Sequence, residues 1–535
     1  MPHRTRLDAG IVITYQRDTH TVLKDGVVVL ENDRIVHVGR DADGPVDETL
    51  DLRDRLLTPG FINTHTHLAG SPLDKSLIED VGKRQFQYSA LPDMLPARAA
   101  ANDRQMMEAC VDYSLVELLR TGTTTVMEIG SIGDYVADAT ERTGLRAYVA
   151  DSYRSGRWYS DDGRSVKYEW DETQGVRDFE KALVLVERLR GRANGRIQGF
   201  LSPAQVDTCT EDLLLASKQA ADELQVPLAL HASQSVFEFD EMMRRHALTP
   251  IEWLDRIRFL GEWTILGHAL LTAGHSWVQY PGDDLTLLAE SSTAVAHCPW
   301  VFARRGVMME SFADYLARGV TMTLGTDTST QSMIEALRWA AVLGKLSKRQ
   351  TDVSTARDVF DAATLGGAQL LHRPDLGRIA NGSKADLLAW DLHSLFMVPL
   401  RDPIRNLVYS AQAEDLQDVM VDGRRPPRYE RRHPREPAQR LTRPPGSPVN
   451  LERHARRVLR RSARRPDRRG ARRTPGPRRS ARHATGPAAL SPVTRSRAPR
   501  RGRTRARRRV RCPRARDEAP PRGTESSARP GQHGT

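Results

Sequence analysis

The sequence of 535 residues predicts an α/β fold in which a closed parallel (β/α)8 barrel is flanked by a small β-sandwich. One observation is that eight short apolar runs, each typical of a buried strand, recur between residues 59 and 327. The other is that amphipathic segments typical of helices separate these runs. Because strands that alternate with helices pair in parallel, we expect the eight carboxyl ends to meet at one mouth of the barrel, where such folds carry their chemistry.

Along the chain, the small sheet comes first. Apolar and polar residues alternate over 7–58, which predicts a small antiparallel sheet with strands at 10–15, 26–30 and 34–39. The barrel strands are expected at 59–65, 123–128, 145–151, 197–201, 227–232, 263–269, 293–298 and 321–327. Helices are expected between them at 103–120, 176–191, 211–224, 283–291 and 331–346.

A helix at 355–371 and strands at 387–390 and 417–421 are expected after the barrel. We expect these last strands to return to the sheet opened by the first residues. The predicted organisation is therefore a composite β-sandwich from residues 1–58 and 375–423, and a barrel over 59–374 inserted between its halves.

The net charge of +12 averages two unlike regions. Residues 424–535 contain 36 Arg, no Lys and 7 Asp or Glu, a net charge of +29, which leaves −17 on residues 1–423. This Arg/Pro-rich tail has almost no large apolar residues, so we expect it to be disordered. The absence of Lys, with Tyr429 as the tail's sole aromatic residue, makes nucleic acid an unfavoured partner.

The composition changes abruptly at Gly423-Arg424, inside an expected hairpin. We interpret the tail as a frameshifted, out-of-frame translation of GC-rich DNA. The alternatives are a nucleic-acid-binding extension and a nonfunctional tail. Resequencing across codon 423 tests the frameshift, since an intact reading frame there would remove it. The four cysteines have no close spacing, and no signal peptide or membrane-spanning run is evident, so we expect a cytoplasmic protein without membrane contact.

Five polar residues stand at the ends of predicted barrel strands. His65 and His67 are two apart on the first strand, so both imidazoles can face one metal ion. His231 ends the fifth strand, His268 the sixth and Asp327 the eighth. Three histidines and one carboxylate suit one divalent metal ion, Zn²⁺ or Fe²⁺, with room for a water whose pKa the metal lowers.

Each of these residues also has a structural interpretation when taken singly. A lone histidine at a strand end is more often a core or loop residue, and Asp327 could cap the helix that follows Ser332. Five such residues at the ends of four barrel strands favour the metal site. We predict His65, His67, His231 and Asp327 as ligands, and His268 as general acid/base.

The motifs at these positions resemble those of the amidohydrolase superfamily. The segments are Thr58–His67, Leu230-His231-Ala232-Ser233, Ile265–His268, Val295–Pro299 and Leu324–Asp327. The triazine hydrolase/cytosine deaminase-like branch is the most similar, over about residues 7–423. The resemblance implies a distorted TIM barrel with a composite β-sandwich, Zn²⁺ as the most common metal, the same four ligands and a homodimer. It also places His297 behind the ligands, where a satisfied core histidine is an equal alternative.

One position departs from that branch. Its deaminases and chlorohydrolases usually carry Glu three residues after the strand-five histidine, and this chain has Gln234. An amide cannot shuttle protons, so His268 and Asp327 would carry them, or Glu238 or Glu128 would substitute. Each substitute has a structural alternative. Glu238 could start a helix at 238–246, and Glu128 could have a structural role.

We therefore expect a metal-dependent hydrolase in which His268, Asp327 and Gln234 contact a small-molecule substrate. Its water would cleave a C–N bond of an amide, urea, amidine or aminated heterocycle. The alternatives are a chlorohydrolase or ring deaminase of triazines, pyrimidines or purine-like substrates, and a metal-binding pseudoenzyme. The segment 68–98, with Arg154, Trp158, Trp300, Phe302 and Arg304, is expected to shape substrate binding or to have packing roles.

Overall fold

The computed structural model describes residues 2–426 except positions 77–78, 83, 85–88, 90 and 102. The strands in this part of the chain are β1 (Arg4–Gln16), β2 (Thr19–Glu31), β3 (Arg34–Gly39), β4 (Glu48–Pro59), β5 (Phe61–Thr66), β6 (Thr123–Gly130), β7 (Arg146–Asp151), β8 (Gly156–Tyr159), β9 (Lys167–Trp170), β10 (Ile197–Gly199), β11 (Leu228–Ala232), β12 (Thr264–His268), β13 (Ala294–His297), β14 (Met322–Leu324), β15 (Leu387–Asp391) and β16 (Leu416–Met420).

The helices are α1 (Leu91–Ala101), α2 (Arg104–Arg120), α3 (Gly133–Thr143), α4 (Glu172–Leu189), the single turn α5 (Arg192–Gly195), α6 (Glu211–Leu224), α7 (Val236–His246), α8 (Pro250–Arg256), α9 (Asp284–Glu290), α10 (Pro299–Ala303), α11 (Phe312–Ala317), α12 (Met333–Lys348), α13 (Ala356–Asp361), α14 (Gly367–Leu370) and α15 (Pro403–Tyr409). A π-helical turn, Ala362–Gly366, joins α13 to α14. None of the described helices is long and apolar enough to span a membrane.

Eight parallel strands form the barrel that the sequence predicts. Strands β5, β6, β7 and β10 pair in one four-stranded sheet, and β11, β12, β13 and β14 pair in another. Parallel bridges from Leu201 to Leu228 and from Thr66 to Asp327 join the two sheets at both edges. Residues of β5, β11 and β12 are buried throughout, as expected for parallel strands that are covered on both faces. The predicted α/β barrel is confirmed, and each of the eight predicted strands overlaps an observed one.

The short elements around the barrel were not predicted. Helices α10 and α11 have five and six residues, too few for an amphipathic period to show in the sequence. The hairpin β8–β9 inserts between β7 and α4. The helix predicted at 355–371 is divided by the π-helical turn. The last residue of this turn, Gly366, lies against β14, where a Cβ would lie 2.2 Å from the Met322 carbonyl oxygen.

The two ends of the predicted composite sandwich meet in one six-stranded sheet with the order β16-β15-β4-β1-β2-β3. The expectation of an antiparallel sheet with three early strands was wrong in one respect. A fourth strand, β4, lies at its centre and pairs in parallel with β1 and antiparallel with β15. Charged residues at 51–55 interrupt the alternation of apolar and polar residues, so the sequence pattern did not predict this strand. The domain boundaries themselves stay a prediction.

A buried ionic cluster connects the barrel to this sheet. Arg146, the first residue of β7, donates to Asp386 at 3.1 and 3.2 Å and to Asp422 at 2.5 Å. The Arg146 side chain is 1% exposed, and Asp386 and Asp422 are 4% and 13% exposed. Because a buried charge is tolerated only when it is paired, these three groups depend on one another.

Asp422 also belongs to a tight turn. Asp422 and Gly423 both have positive φ, and Val421 and Arg424 exchange backbone hydrogen bonds of 2.9 and 3.0 Å. This is the two-residue hairpin turn that an Asp-Gly sequence favours. The structure therefore contains the turn of the hairpin that was expected at Gly423-Arg424. The Arg/Pro-rich tail, from residue 427 onward, lies outside the described residues.

We expect Arg146→Leu to destabilise the protein by about 3–5 kcal/mol, because it leaves the Asp386 and Asp422 carboxylates buried without a cation. Urea unfolding monitored by circular dichroism measures the change. The control is Arg157→Leu, which removes a surface pair with Glu169, both more than half exposed, and should cost less than about 1 kcal/mol. Equal losses in the two variants would contradict the structural role of the buried cluster.

Candidate metal centre

The first two histidines are placed by the edge where the barrel closes. His65 lies in β5, and His67 follows its last residue. The Asp327 amide donates to the His65 carbonyl at 2.8 Å, and the His67 amide donates to the Asp327 carbonyl at 2.9 Å. The backbone hydrogen bonds that close the barrel therefore bring His65, His67 and Asp327 together.

Glycines on the neighbouring strands make space for the His65 ring. A Cβ at Gly267 would lie 2.5 Å from the His65 imidazole, and a Cβ at Gly325 would lie 2.7 Å from the His65 Cβ. Any side chain at either position would force the histidine out of place. This close approach explains physically why glycine precedes His268 and stands two residues before Asp327.

The five predicted residues converge on one point at the mouth of the barrel. The Nε2 atoms of His67 and His231 are 3.2 Å apart. Asp327 places one carboxylate oxygen 3.5 Å from the His67 Nε2 and the other 3.5 Å from the His268 Nε2. The His65 ring centroid lies 4.7 Å from that of His231 and 4.6 Å from that of His268. The structure thus brings together all five residues singled out by the sequence.

Hydrogen bonds behind the imidazoles fix which nitrogen is free. The Nδ1 of His67 lies 2.7 Å from the Ile129 carbonyl, and the Nδ1 of His231 lies 2.7 Å from the Ala204 carbonyl. Since a carbonyl can only accept, both Nδ1 atoms carry the proton, and both Nε2 atoms present lone pairs. Two lone pairs 3.2 Å apart repel each other unless a cation lies between them.

The donor set fits a zinc ion. Zn–N bonds of about 2.0–2.1 Å at a tetrahedral angle separate two nitrogen ligands by about 3.3 Å, close to the observed 3.2 Å. The His65 Nε2 is buried and has no hydrogen-bond partner among the described residues, as a metal-directed nitrogen would be. His65, His67 and Asp327 form one group of potential ligands, and His65, His231 and His268 form another.

Burial keeps these imidazoles neutral, which is the form that binds metal. It lowers the pKa of His67 and of His231 to about 4. Burial, together with the neighbouring imidazoles, lowers the pKa of His65 and of His268 well below the usual range. The pKa of Asp327 is raised by burial, an effect that the neighbouring His231 and Arg305 oppose.

Asp327 does not cap the following helix. The N-cap of α12 is Ser332, whose hydroxyl accepts from the Glu335 amide at 3.3 Å. Asp327 instead has a φ of 59°, an uncommon conformation for a residue other than glycine. The Gln331 side chain helps to hold it there by donating to the Asp327 carbonyl at 3.1 Å. Strain of this kind is characteristic of functional positions.

The remaining predicted residues divide into two groups. Gln234 and Glu128 line the cavity, whereas Glu238 and His297 are buried away from its lining. The Glu238 carboxylate accepts from the Ser233 and Gln234 amides at 2.5 and 3.1 Å, so it supports the loop that carries Gln234. His297 packs against Phe312, and burial lowers its pKa to about 3.

Glu128 supports the segment that follows the first two histidines. Its Oε2 accepts from the Thr66 hydroxyl at 2.9 Å and from the Leu68 amide at 2.8 Å. Burial raises the pKa of this carboxyl to about 8. Its Oε1 is buried and has no partner among the described residues, so Glu128 is the predicted substitute acid that the structure places at the cavity.

The cavity above the histidines encloses about 200 Å³, small for a ligand site. The segment 68–98 lines it through Gly70, Asp74, Met94 and Arg98, as expected of a segment over the barrel mouth, while residues 86–88 lie outside the described part. Further lining comes from Trp158, Phe302, Arg305 and Gln205.

Three residues that were expected near the substrate are not among those that line the cavity. Arg154 is exposed, Trp300 packs against Trp339 with ring centroids 5.2 Å apart, and Arg304 pairs with Glu79 at 2.6 Å. The sequence reasoning missed Arg305. Its position three residues after Phe302, on the same side of a helical turn, is the signal that could have found it.

Comparisons with known proteins agree with this geometry. The profile of the Amidohydrolase family matches residues 56–425. A 5′-deoxyadenosine deaminase of Methanothermobacter thermautotrophicus is 30% identical over 408 residues, which are 75% of this chain and 89% of the relative. A 5-methylthioadenosine/S-adenosylhomocysteine deaminase of Halobacterium salinarum is 31% identical over 407 residues, 75% of this chain and 88% of the relative.

Solved structures share the fold. An adenosine deaminase from Xanthomonas campestris with bound zinc superimposes with a TM-score of 0.69 at 23% identity, covering 86% of this chain and 98% of that chain. An atrazine chlorohydrolase from Arthrobacter aurescens TC1 complexed with zinc gives a TM-score of 0.67 at 22% identity, covering 86% and 100%.

The low pKa values of the buried histidines predict a pH dependence for the metal-free protein. An unfolded chain binds protons on these groups below about pH 6.5, whereas the folded protein does so only near pH 4. The contribution of these histidines to the free energy of unfolding is therefore complete above pH 6.5 and falls as the pH drops toward 4. Removing one such group by His231→Gln should reduce the loss between pH 7 and pH 5 by about 2 kcal/mol.

Urea unfolding in the presence of a chelator measures this difference. His393→Gln serves as the matched control because His393 is exposed, and it should lose as much stability as the parent protein. If His231→Gln loses as much as the parent between the two pH values, His231 is not held neutral in the folded state.

Proposed function

The chain belongs to the amidohydrolase family, and we propose that it is a zinc-dependent hydrolase that cleaves a C–N bond of a small molecule. We propose His65, His67, His231 and Asp327 as the ligands. The observation that carries this proposal is the pair of unprotonated Nε2 atoms, 3.2 Å apart, on His67 and His231. When both rings are neutral, the Nδ1 atoms hold the protons and neither Nε2 can donate to the other, so a shared cation between them would satisfy both lone pairs.

When bound, a divalent zinc ion supplies Lewis acidity and lowers the pKa of a water at the site toward 7. The side chains around it divide the remaining work. His268 lies at the cavity wall with its Nε2 3.5 Å from Asp327, a position suited to receive a proton and return it to the leaving nitrogen. Burial lowers its pKa, so the ring is neutral at neutral pH and one of its nitrogens carries a lone pair.

Gln234 orients the substrate and does not transfer protons. Its Nε2 is buried at the cavity and has no partner among the described residues, so it is free to donate to a substrate oxygen or ring nitrogen. An amide cannot protonate a ring nitrogen, the step that prepares an aromatic ring for loss of an amine. We therefore favour an amide, urea or amidine carbon as the site of attack.

Ring deamination is the second candidate, favoured by the names of the relatives. The two sequence relatives at 30 and 31% identity are deaminases of adenine nucleosides. In that case, proton transfer to the ring would fall to His268, Asp327 or Glu128. A chlorohydrolase and a metal-binding pseudoenzyme stay as further alternatives, and turnover of matched ureas, amidines and aminated or chlorinated heterocycles separates them.

We further propose a homodimer, on the resemblance, and a reducing cytoplasm, supported by the buried free thiols of Cys110, Cys209 and Cys298. Light scattering of the purified chain tests the first. We also keep the proposal that residues 424–535 are frameshifted, since the tail begins just after the turn at Asp422-Gly423, and sequencing across codon 423 tests it.

Substitution of a proposed ligand should remove the metal. Substitution of a residue that only hydrogen-bonds to a metal ligand already weakens metal binding about 10- to 100-fold, so His67→Asn or His231→Asn should exceed a 100-fold loss. Mass-spectrometric zinc analysis after dialysis against a chelator measures retention. His297→Asn is the control because His297 is buried, as His231 is, but is absent from the groups of potential ligands. Retention of one zinc per chain by His67→Asn would refute the assignment.

Gln234→Glu tests the preferred chemistry. A carboxylate at this position can shuttle protons, so turnover of 5′-deoxyadenosine should rise about 100-fold or more over the wild type. Gln205→Glu is the matched control, since Gln205 also lines the cavity but lies beyond the end of β10. Efficient deamination by the wild type, with no gain in Gln234→Glu, would show that the amide does not restrict the reaction.

A further inference from the structure

The charged side chains at the cavity do not balance. Arg98 is paired with Asp74 at 3.1 Å, and the neighbouring Arg304 is paired with Glu79 at 2.6 Å. Arg305 also borders the cavity, but its side chain has no hydrogen bond and no ion pair with any described residue. Its Nε is buried without a partner. One guanidinium at the active site is therefore left uncompensated.

The described carboxylates at the cavity do not form an ion pair with Arg305. Asp74 is taken by Arg98, and Glu128 accepts from the Thr66 hydroxyl and the Leu68 amide. Asp327 faces His67 and His268 and is a proposed zinc ligand. Within positions 77–90 the acidic residues are Glu79, which is paired, and Asp80. No described carboxylate lies within 4 Å of the Arg305 guanidinium.

Leaving a cation without a partner in this environment is unfavourable. Burial lowers the pKa of Arg305, and the negative charge of Asp327 only partly opposes that effect. A half-buried charge without an ion-pair partner is costly, and an anionic ligand would offset that cost. The planar fork of a guanidinium matches the two oxygens of a carboxylate better than any neutral group.

We infer that Arg305 binds a carboxylate of the substrate, so that the compound hydrolysed carries an anionic group beside its reacting C–N carbon. The reaction in this inference rests on the proposed function, whereas the binding of a carboxylate by Arg305 does not. It narrows the substrate class to small acids that contain a ureido, amidino or amino-heterocyclic group. The Phe302 and Trp158 rings at the same cavity would cover the apolar part of such a molecule.

Binding of two probes of equal shape tests the inference without turnover. Benzoate and acetophenone differ in charge, and calorimetry with the zinc-loaded full chain measures both dissociation constants. We expect the wild type to prefer benzoate, Arg305→Gln to weaken benzoate binding about 30-fold or more with acetophenone unchanged, and Arg305→Lys to restore part of the preference. Arg304→Gln, which removes the paired neighbour, should leave the preference in place.

Stability separates binding from a structural role. Removing an uncompensated buried charge should leave the melting temperature of Arg305→Gln unchanged or higher, whereas loss of a structural group would lower it. If benzoate is preferred equally by wild type and Arg305→Gln, the anion binds the zinc and not Arg305, and the inference is wrong.

Turnover distinguishes this failure from failure of the proposed function. N-carbamoylglycine and guanidinoacetate are compared with their amides, which lack the carboxylate. Hydrolysis of acids and amides with equal KM, unaffected by Arg305→Gln, would overturn the inference and keep the hydrolase. An Arg305-dependent preference for benzoate, with none of the probes hydrolysed, would support the anion site and count against the proposed reaction.

Discussion

The hydrogen bonds between the end of β5 and the residues after β14 are the constraint on which the rest of the site depends. They close the barrel, and they join His65 and His67 to Asp327 through backbone atoms. The first and last proposed ligands along the chain, His65 and Asp327, are separated by some 260 residues of sequence, but backbone hydrogen bonds at one edge of the barrel bring them together. Any change that opened this edge of the barrel would dismantle the metal site and the barrel together.

The direction of the imidazoles follows from the same backbone. Carbonyl groups of Ile129 and Ala204, at or beyond the ends of neighbouring strands, each hold one Nδ1 proton. A barrel has many carbonyl groups at its mouth, so it can orient several histidines without additional side chains. Burial then keeps the rings neutral, and the same burial makes protonation costly. Metal affinity and sensitivity to acid are thus two consequences of one environment.

The eight barrel strands and the five converging residues could be predicted because both depend on local patterns. Apolar runs mark parallel strands, and strand ends in a barrel share one mouth. Strand β4 could not be recognised in this way, since its Arg53-Asp54-Arg55 segment is charged and interrupts the apolar pattern. The roles of Glu128 and Glu238 were also beyond the sequence. Each is an acidic residue near a proposed ligand histidine in the sequence pattern. Which of them lines the cavity depends on the three-dimensional path of the chain.

The amide at Gln234 and the unpaired guanidinium of Arg305 have a common electrostatic explanation. A glutamate at this position would give the cavity one more negative charge. Here that charge is missing, while Arg305 and the metal add positive charge. A substrate with its own carboxylate would restore the balance that the protein lacks, and its charge would be held by Arg305 instead of by a proton-transferring side chain. The amide and the unpaired guanidinium therefore favour the same kind of substrate, an anion whose C–N carbon does not need ring protonation.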